Sequence, residues 1–214
     1  MFGAMDSAPN VATSGPAVKV RWQWSRFPEL SASELYAALA ARQQVFTVEQ
    51  RCAFQDADGH DVHAWHLFAW AEDLPAVASA LTRYEAAPSC APRSGPAARV
   101  LSDPTPPEGA QRAPRGGPAT LVLAGYLRVL DPGRKFAEPS IGRVLTVAPY
   151  RGIGFGRTLM AEGIARTRRA WPERTVRIAA QQRLERFYAN LGFRTAGAPY
   201  EEDDIAHVDM LLAP

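Results

Sequence analysis

The residues that invite a chemical reading lie between Val144 and Arg157. Val144-Leu145-Thr146-Val147 is apolar and strand-like, Gly152, Gly154 and Gly156 follow at alternate positions, and Phe155 opens a helical pattern. Glycines let a backbone approach a phosphate closely and adopt positive φ, and the first N–H groups of the following helix point at the anion. Arg151 and Arg157 add fixed positive charge beside them. The segment is therefore a candidate cradle for a phosphate-bearing ligand. Arg151, Gly152, Ile153, Gly154, Phe155, Gly156 and Arg157 form its wall, and Leu145, Thr146 and Val147 lead into it. Spacing argues against two familiar cradles. A dinucleotide fingerprint needs a third glycine where Arg157 stands and an acidic residue about 20 positions on. A Walker loop needs a lysine after its last glycine, and the only lysines are Lys19 and Lys135. A ligand-free glycine turn and a nucleotide site remain as competing readings, the latter expected to prefer ATP or NAD.

The loop requires a strand before it and a helix after it, and the chain supplies both. Ile141–Val147 reads as the strand; Phe155–Ala170 reads as the helix, with Leu159, Met160, Gly163 and Ile164 on one face. Upstream, Val18–Trp24 alternates as a strand, and Ser31 or Ser33 caps a helix running to Phe46 with Leu35, Leu39, Arg42 and Phe46 along one side. Cys52–Asp61 reads as a loop, and His63–Trp70 and Thr120–Leu130 as strands. Downstream come a strand at Thr175–Ala180, a helix at Arg183–Leu191 closed by Gly192, and strands around Phe193 and over His207–Leu212.

The chain has 214 residues and 18 prolines, and eight of the prolines fall within residues 86–118. That stretch also lacks aromatic residues, so it cannot bury enough apolar surface to offset its ordering entropy. The expected organisation is a disordered leader over 1–17 and one domain over 18–213, interrupted at about 85–118 by a disordered insertion. Neither flank of the insertion makes a layered fold alone. A net charge of +2 gives no electrostatic argument for a nucleic-acid or membrane partner. Cys52 and Cys90 make neither a disulfide framework nor metal-ligand spacing, and Asp56-Ala57-Asp58-Gly59 is not a complete calcium loop, so no metal is expected. Met1–Val18 lacks the features of a secretory signal, and no apolar run reaches membrane-spanning length. The expected location is the cytoplasm.

A strand followed by R-G-x-G-x-G, with Phe187-Tyr188-Ala189-Asn190-Leu191-Gly192-Phe193 further along, resembles the GCN5-related N-acetyltransferase superfamily. The chain is most similar to that superfamily's ElaA-like branch. Leu35-Tyr36, Arg42, Val45-Phe46, Val48-Glu49-Gln50, Gln55-Asp56, Asp58-Gly59, Asp61 and His66 carry the likeness in the N-terminal part. Ile141-Gly142-Arg143-Val144, Trp171-Pro172, Gln181, Tyr200-Glu201-Glu202-Asp203, Ile205 and His207 carry it further on. The resemblance covers roughly residues 20–73 and 120–213. It departs where the branch has Asp-Gly-Ile-Pro-His and this chain has Asp203-Asp204-Ile205-Ala206-His207, and in the long connection that contains the prolines.

The resemblance implies an α/β, single-domain acyl-CoA N-acyltransferase-like fold: a mixed central sheet of about six or seven strands flanked by helices. It implies an acetyl-CoA-dependent N-acetyltransferase, with the glycine loop on the pyrophosphate, the preceding strand on the pantetheine arm, and Gln181 beside the co-substrate. The acceptor would be a small-molecule or peptide amine, and a homodimer is compatible with the branch. A lysine-like amine with a pKa near 10.4 costs about 4.6 kcal/mol to deprotonate at pH 7, so the amine needs a base and the leaving sulfur an acid. Tyr188 is the candidate acid. Glu49, His66 and His207 are candidate bases, with Glu49 preferred and His66, His207 and Asp203 placed toward the substrate. The acidic clusters Asp56, Asp58, Asp61 and Glu201–Asp204 either attract a cationic amine or are solvated faces. The alternative function is a CoA-binding or sensing module of the same fold without turnover.

Overall fold

The computed structural model describes residues 19–52, 54–72 and 121–214. The expected leader, the Pro-rich insertion and Cys90 lie outside these residues. Eight strands form one mixed sheet: β1 Val20–Arg26, β2 Ala64–Glu72, β3 Leu121–Leu130, β4 Ser140–Thr146, β5 Val176–Gln181, β6 Arg194–Thr195, β7 Tyr200–Glu202 and β8 Ile205–Leu212. The order is β1-β2-β3-β4-β5-β8-β6, with β7 paired to β8 at one end. β7 is an addition to the sequence expectation. The turn Asp203-Asp204 that joins it to β8 holds both residues at positive φ, a conformation aspartate tolerates better than most residues.

Among the described residues three α-helices cover the sheet: α1 Ala32–Arg42, α2 Phe155–Ala170 and α3 Glu185–Ala189. Ser31 caps α1 in a reciprocal box with Glu34, which selects it over Ser33. The helix expected to reach Phe46 changes character at Gln43. From there to Glu49 it widens into a π-helical turn, and Gln50 N–H donates to the Val45 carbonyl at 3.1 Å.

The sheet is buried on both faces, which is why β2 and β3 read as nearly unbroken apolar runs. Phe68, Trp70, Tyr126 and Leu145 pack with Ala38 and Val45 on the α1 side. Leu67, Ala69, Leu127 and Val129 pack with Leu159, Met160 and Ile164 of α2 on the other. Helix α2 comes close because residue 163 has no side chain: a Cβ there would stand 2.6 Å from Leu127 Cδ2. Leu127 is fully buried and has nowhere to swing. Gly163→Val is expected to lower the unfolding free energy by about 2 kcal/mol, overpacking outweighing the gain in helix propensity. Thermal unfolding of the variant checks this.

Two irregularities shape the middle of the sheet. β3 and β4 run antiparallel with Tyr126 opposite Leu145 and Arg128 opposite Gly142, so β4 carries one extra residue between those pairs. Arg143 takes it up at φ 51°, a left-handed conformation for a non-glycine residue, and forms a bulge. β4 and β5 are parallel and register only at Ser140 and Arg177. Beyond that pair the two strands part.

Candidate active site

The parting of β4 and β5 opens a cleft of ≈ 490 Å3 in the centre of the molecule. Ile141 and Val144 of β4 form one wall, and Ile178 and Gln181 of β5 the other. Tyr188 of α3 and His207 of β8 close one side. Apolar residues of the strands alternate along this cleft with polar and charged ones, and a splayed strand leaves free backbone with which a long, thin ligand can pair.

At the far end of β4 the chain turns through Ala148–Tyr150 and the glycine loop into α2. Gly154 is the N-cap of α2, at φ 82° and ψ −1°, and no side chain caps the first turn. Its amide dipoles therefore face outward, the arrangement that receives an anion. Gly152 has a similar φ of 79°. Both positions require glycine. Gly154→Ala is expected to lose about 1–2 kcal/mol of stability through left-handed strain. It is also expected to weaken binding of a phosphate-bearing ligand by displacing those amides, as calorimetric titration would read.

The residues of the loop divide by exposure. Ile153 and Arg157 lie at the surface with Gly152 and Gly154. Phe155 turns inward, stacks on Trp22 with ring centroids 6.3 Å apart and anchors the helix start. Leu145 sends its side chain into the core under α1, so only its backbone is available to a ligand. Thr146 and Val147 are half-buried at the strand end. Arg151 is already engaged: its Nε donates to the Thr146 carbonyl at 2.7 Å, and one terminal nitrogen pairs with the Glu49 carboxylate at 2.6 Å.

The π-helical turn ends with Gln50 in the cleft wall and Glu49 at the neighbouring surface beside Gln181 and Arg183. Gln50 accepts a hydrogen bond from the Gln181 amide at 3.0 Å, and Arg183 donates to the Gln181 carbonyl oxygen, so the end of β5 is pinned from two directions. Gln50 and the buried Cys52 are site residues that the sequence reading did not assign. Widened turns of this kind are frequent at functional sites, but no residue pattern announces them. Burial pushes the Cys52 thiol up, and Asp203 adds to that, which keeps it an inert wall rather than a nucleophile.

Tyr188 is buried at the cleft wall, its ring set edge-on to Phe187 and Phe193. Among the described residues its hydroxyl has no hydrogen-bond partner. Burial pushes its pKa up to about 12. The phenol therefore holds its proton across the neutral range and can donate it.

Two expectations need correction. His66 does not reach the cleft. It is fully buried in β2, one ring nitrogen 2.7 Å from the Tyr126 hydroxyl and the other 3.0 Å from the Asp61 carbonyl oxygen. Desolvation lowers its pKa, so it stays neutral as a satisfied core residue and cannot touch a substrate. The Asp56, Asp58 and Asp61 cluster does not attract an amine either, because three arginines neutralise it. Arg42, fully buried at the end of α1, pairs with Asp56 and Asp61 at 2.7 and 2.8 Å. Arg128 grips Asp58 with two nitrogens and reaches Asp61 at 2.9 Å. Arg143, at the bulge, pairs with Asp56 and Asp58. This network holds the Cys52–Asp61 loop against β3 and β4 and stabilises the strained conformation of Arg143.

The second acidic cluster is closer to its expected place. Glu202 and Asp203 line the cleft. Glu202 lies 3.6 Å from Lys135, and Asp203 is exposed at the turn. His207 is also at the cleft, its Nδ1 2.8 Å from the Ile205 carbonyl oxygen. Among the described residues no group of histidine, cysteine, aspartate and glutamate side chains is arranged to hold a metal ion. No helix among them is long and apolar enough to cross a membrane.

Comparison with known proteins agrees with this geometry. Residues 119–213, which run from β3 to the end of the sheet, match the acetyltransferase (GNAT) domain model. The UPF0039 protein sll0451 of Synechocystis is 32% identical over 195 residues, covering 91% of this chain and 96% of that protein. Protein ElaA of Escherichia coli is 28% identical over 193 residues, covering 89% and 95%. Among solved structures, an acyl-CoA N-acyltransferase from Pseudomonas aeruginosa superposes with a TM-score of 0.65 at 30% identity, over 91% of this chain and all of the other. The ElaA crystal structure superposes with a TM-score of 0.64 at 28% identity, over 91% of this chain and 99% of that one. The chain belongs to the GNAT acetyltransferases, alongside ElaA and the UPF0039 proteins.

Proposed function

We propose that the protein moves an acetyl group from acetyl-CoA to a primary amine by direct transfer in a ternary complex. The observation that carries this reading is the cleft between β4 and β5, lined by Val144, Gln181 and Tyr188, with β4 leading on through Thr146 to a helix N-terminus capped only by Gly154. A thioester lying along β4 would present its pyrophosphate to Gly152–Arg157 and its sulfur to Tyr188. The backbone of Leu145–Val147 would take the pantetheine amides, and Gln181 would stand across the gap. The amine enters from the side of Asp203, Glu202 and His207. Attack by the neutral amine on the carbonyl carbon expels the thiolate, and Tyr188 protonates it.

Both transferases and CoA sensors of this fold would use the same cleft, and turnover separates them. Thiol release from acetyl-CoA is measured against a panel of small amines, peptide N-termini and lysine peptides, with longer acyl-CoAs in parallel. Amine-dependent release supports the transfer reading. Tight CoA binding without release from any pairing replaces it with the sensor. Protection against thermal unfolding by ATP or NAD in preference to CoA overturns both. The reading treats 18–213 as one domain interrupted at 85–118 and places it in the cytoplasm. Deleting 86–118 should leave CoA affinity unchanged; loss of binding would make the insertion part of the site.

A further inference from the structure

Three groups were candidates to take the proton from the amine, and the geometry separates them. Glu49 is held by the Arg151 guanidinium at 2.6 Å and does not line the cleft. His66 is fully buried with both ring nitrogens occupied. His207 lines the cleft and has only one nitrogen engaged. The partner of its Nδ1 is a carbonyl oxygen, which can only accept, so Nδ1 carries the proton and Nε2 carries the lone pair. Among the described residues Nε2 has no hydrogen-bond partner. The ring is further fixed by stacking on Tyr200, centroids 6.1 Å apart, while Tyr200 O–H donates to Asp209.

Strand pairing places this ring beside the cleft's polar wall. β4 and β5 are parallel, register at Ser140 and Arg177, and part beyond that pair. Gln181, at the end of β5, is paired with His207 of β8. The imidazole therefore stands beside Gln181, on the same cleft as Val144 and Tyr188.

We propose that His207 is the general base of the transfer, accepting the amine proton at Nε2. This rests on the acyl-transfer reading above. The ammonium gives a proton to Nε2, and the amine nitrogen forms a bond to the thioester carbon. The C–S bond breaks with its electron pair going to sulfur, and Tyr188 donates a proton to the thiolate. The second N–H proton of the attacking nitrogen restores the balance at Tyr188 through solvent. The imidazolium releases its own to water, so the sum is amide, thiol and one proton. The titratable and charged groups around the ring are Asp209 on its own strand, Tyr200 and Glu202 on β7, Asp203 and Asp204 in the turn, and Arg183 beyond β5. Cys52 and Tyr188 line the same cleft.

The test uses the full chain and His207→Asn, which keeps a side-chain N–H near the Ile205 carbonyl but lacks the second nitrogen. With the best amine of the panel, kcat/KM at pH 7 is expected to fall by about 10²- to 10³-fold, with the Kd for CoA unchanged. The deficit should shrink with rising pH as the ammonium loses its proton to solvent unaided at about pH 10. Added imidazole should restore part of the rate of His207→Ala, which a merely structural role would not allow. Native turnover and an unchanged pH profile in His207→Asn overturn the proposal and leave the transfer reading intact. Loss of CoA binding in both His207→Asn and His207→Gln assigns the residue to the fold and also overturns it. No turnover by the native chain with any amine removes the transfer reading, and His207's role with it.

Discussion

Arg42→Met is expected to lower the unfolding free energy by about 3–5 kcal/mol, the usual cost of leaving a buried charge without its partner. At roughly 2–4 °C per kcal/mol for a chain of this size, the unfolding midpoint falls by about 10 °C or more. Methionine keeps most of the volume of the arginine stem, so the loss reads charge and hydrogen bonding rather than a cavity. The guanidinium donates to Asp56 through its carboxylate and its backbone carbonyl, and to the Asp61 carboxylate. Without it both carboxylates stay in the interior, facing only Arg128 and Arg143. The half-buried pair of Glu162 and Arg166 on α2 is the control, and Glu162→Gln should cost about 0.5 kcal/mol or less. The same network sets an acid limit. Burial alone would raise the Asp58 and Asp61 carboxyls, but hydrogen bonds and charge from Arg42 and Arg128 outweigh it and hold both below the usual range. A depressed folded-state pKa means stability present above the unfolded value, about 3.9, and lost as pH falls below it. The native protein should therefore weaken steeply below about pH 4, and the gap to Arg42→Met should narrow there as protonation removes the pairing the variant lacks. Urea titrations at several pH values read both effects.

That network shows where sequence and structure part. Arg42 falls on the same helical stripe as Leu35, Leu39 and Phe46, so periodicity places it inward correctly. What it meets there comes from the Cys52–Asp61 loop and from β3 and β4, and no local pattern encodes such long-range pairing. The glycine loop is the opposite case. Its strand, its glycines and the start of α2 at Phe155 are local features, and each stands where the spacing puts it. The elements least legible were those that break regularity. The π-helical turn at Gln43–Glu49 and the bulge at Arg143 use residue types at home in ordinary helix and strand. Both irregularities shape the site, one by delivering Gln50 to Gln181 and the other by loosening β4 from its neighbours. His66 was misplaced for a related reason: a histidine within a strand shows its face by alternation, but not whether that face is covered.

Tyr188→Phe is expected to reduce the rate of thiol release by about 10²- to 10³-fold with CoA affinity unchanged. The reasoning turns on the hydroxyl alone, since the ring packs against Phe187 and Phe193 and phenylalanine keeps those contacts. Removing a hydroxyl that has no partner among the described residues leaves no orphaned group, so stability near neutral pH should be almost unaffected. Because burial pushes the Tyr188 pKa up to about 12, the acid form persists through the alkaline range in which amines become nucleophilic. The rate deficit should accordingly stay constant from pH 6 to about 10, where a free tyrosine would already be half ionised. The folded-state shift has a second consequence. A raised pKa means stability fully present below the unfolded value near 10 and lost as pH rises toward the folded one, so the native protein should weaken above about pH 10. Tyr200, also raised to about 12, contributes to the same decline, and Tyr188→Phe should remove only part of it. The leaving group separates acid catalysis from packing. An acyl donor with a more acidic thiol expels a stable thiolate without a proton, so the variant should regain most of its rate with that donor. An equal deficit with both donors would return Tyr188 to the core and leave the sulfur to be protonated by water.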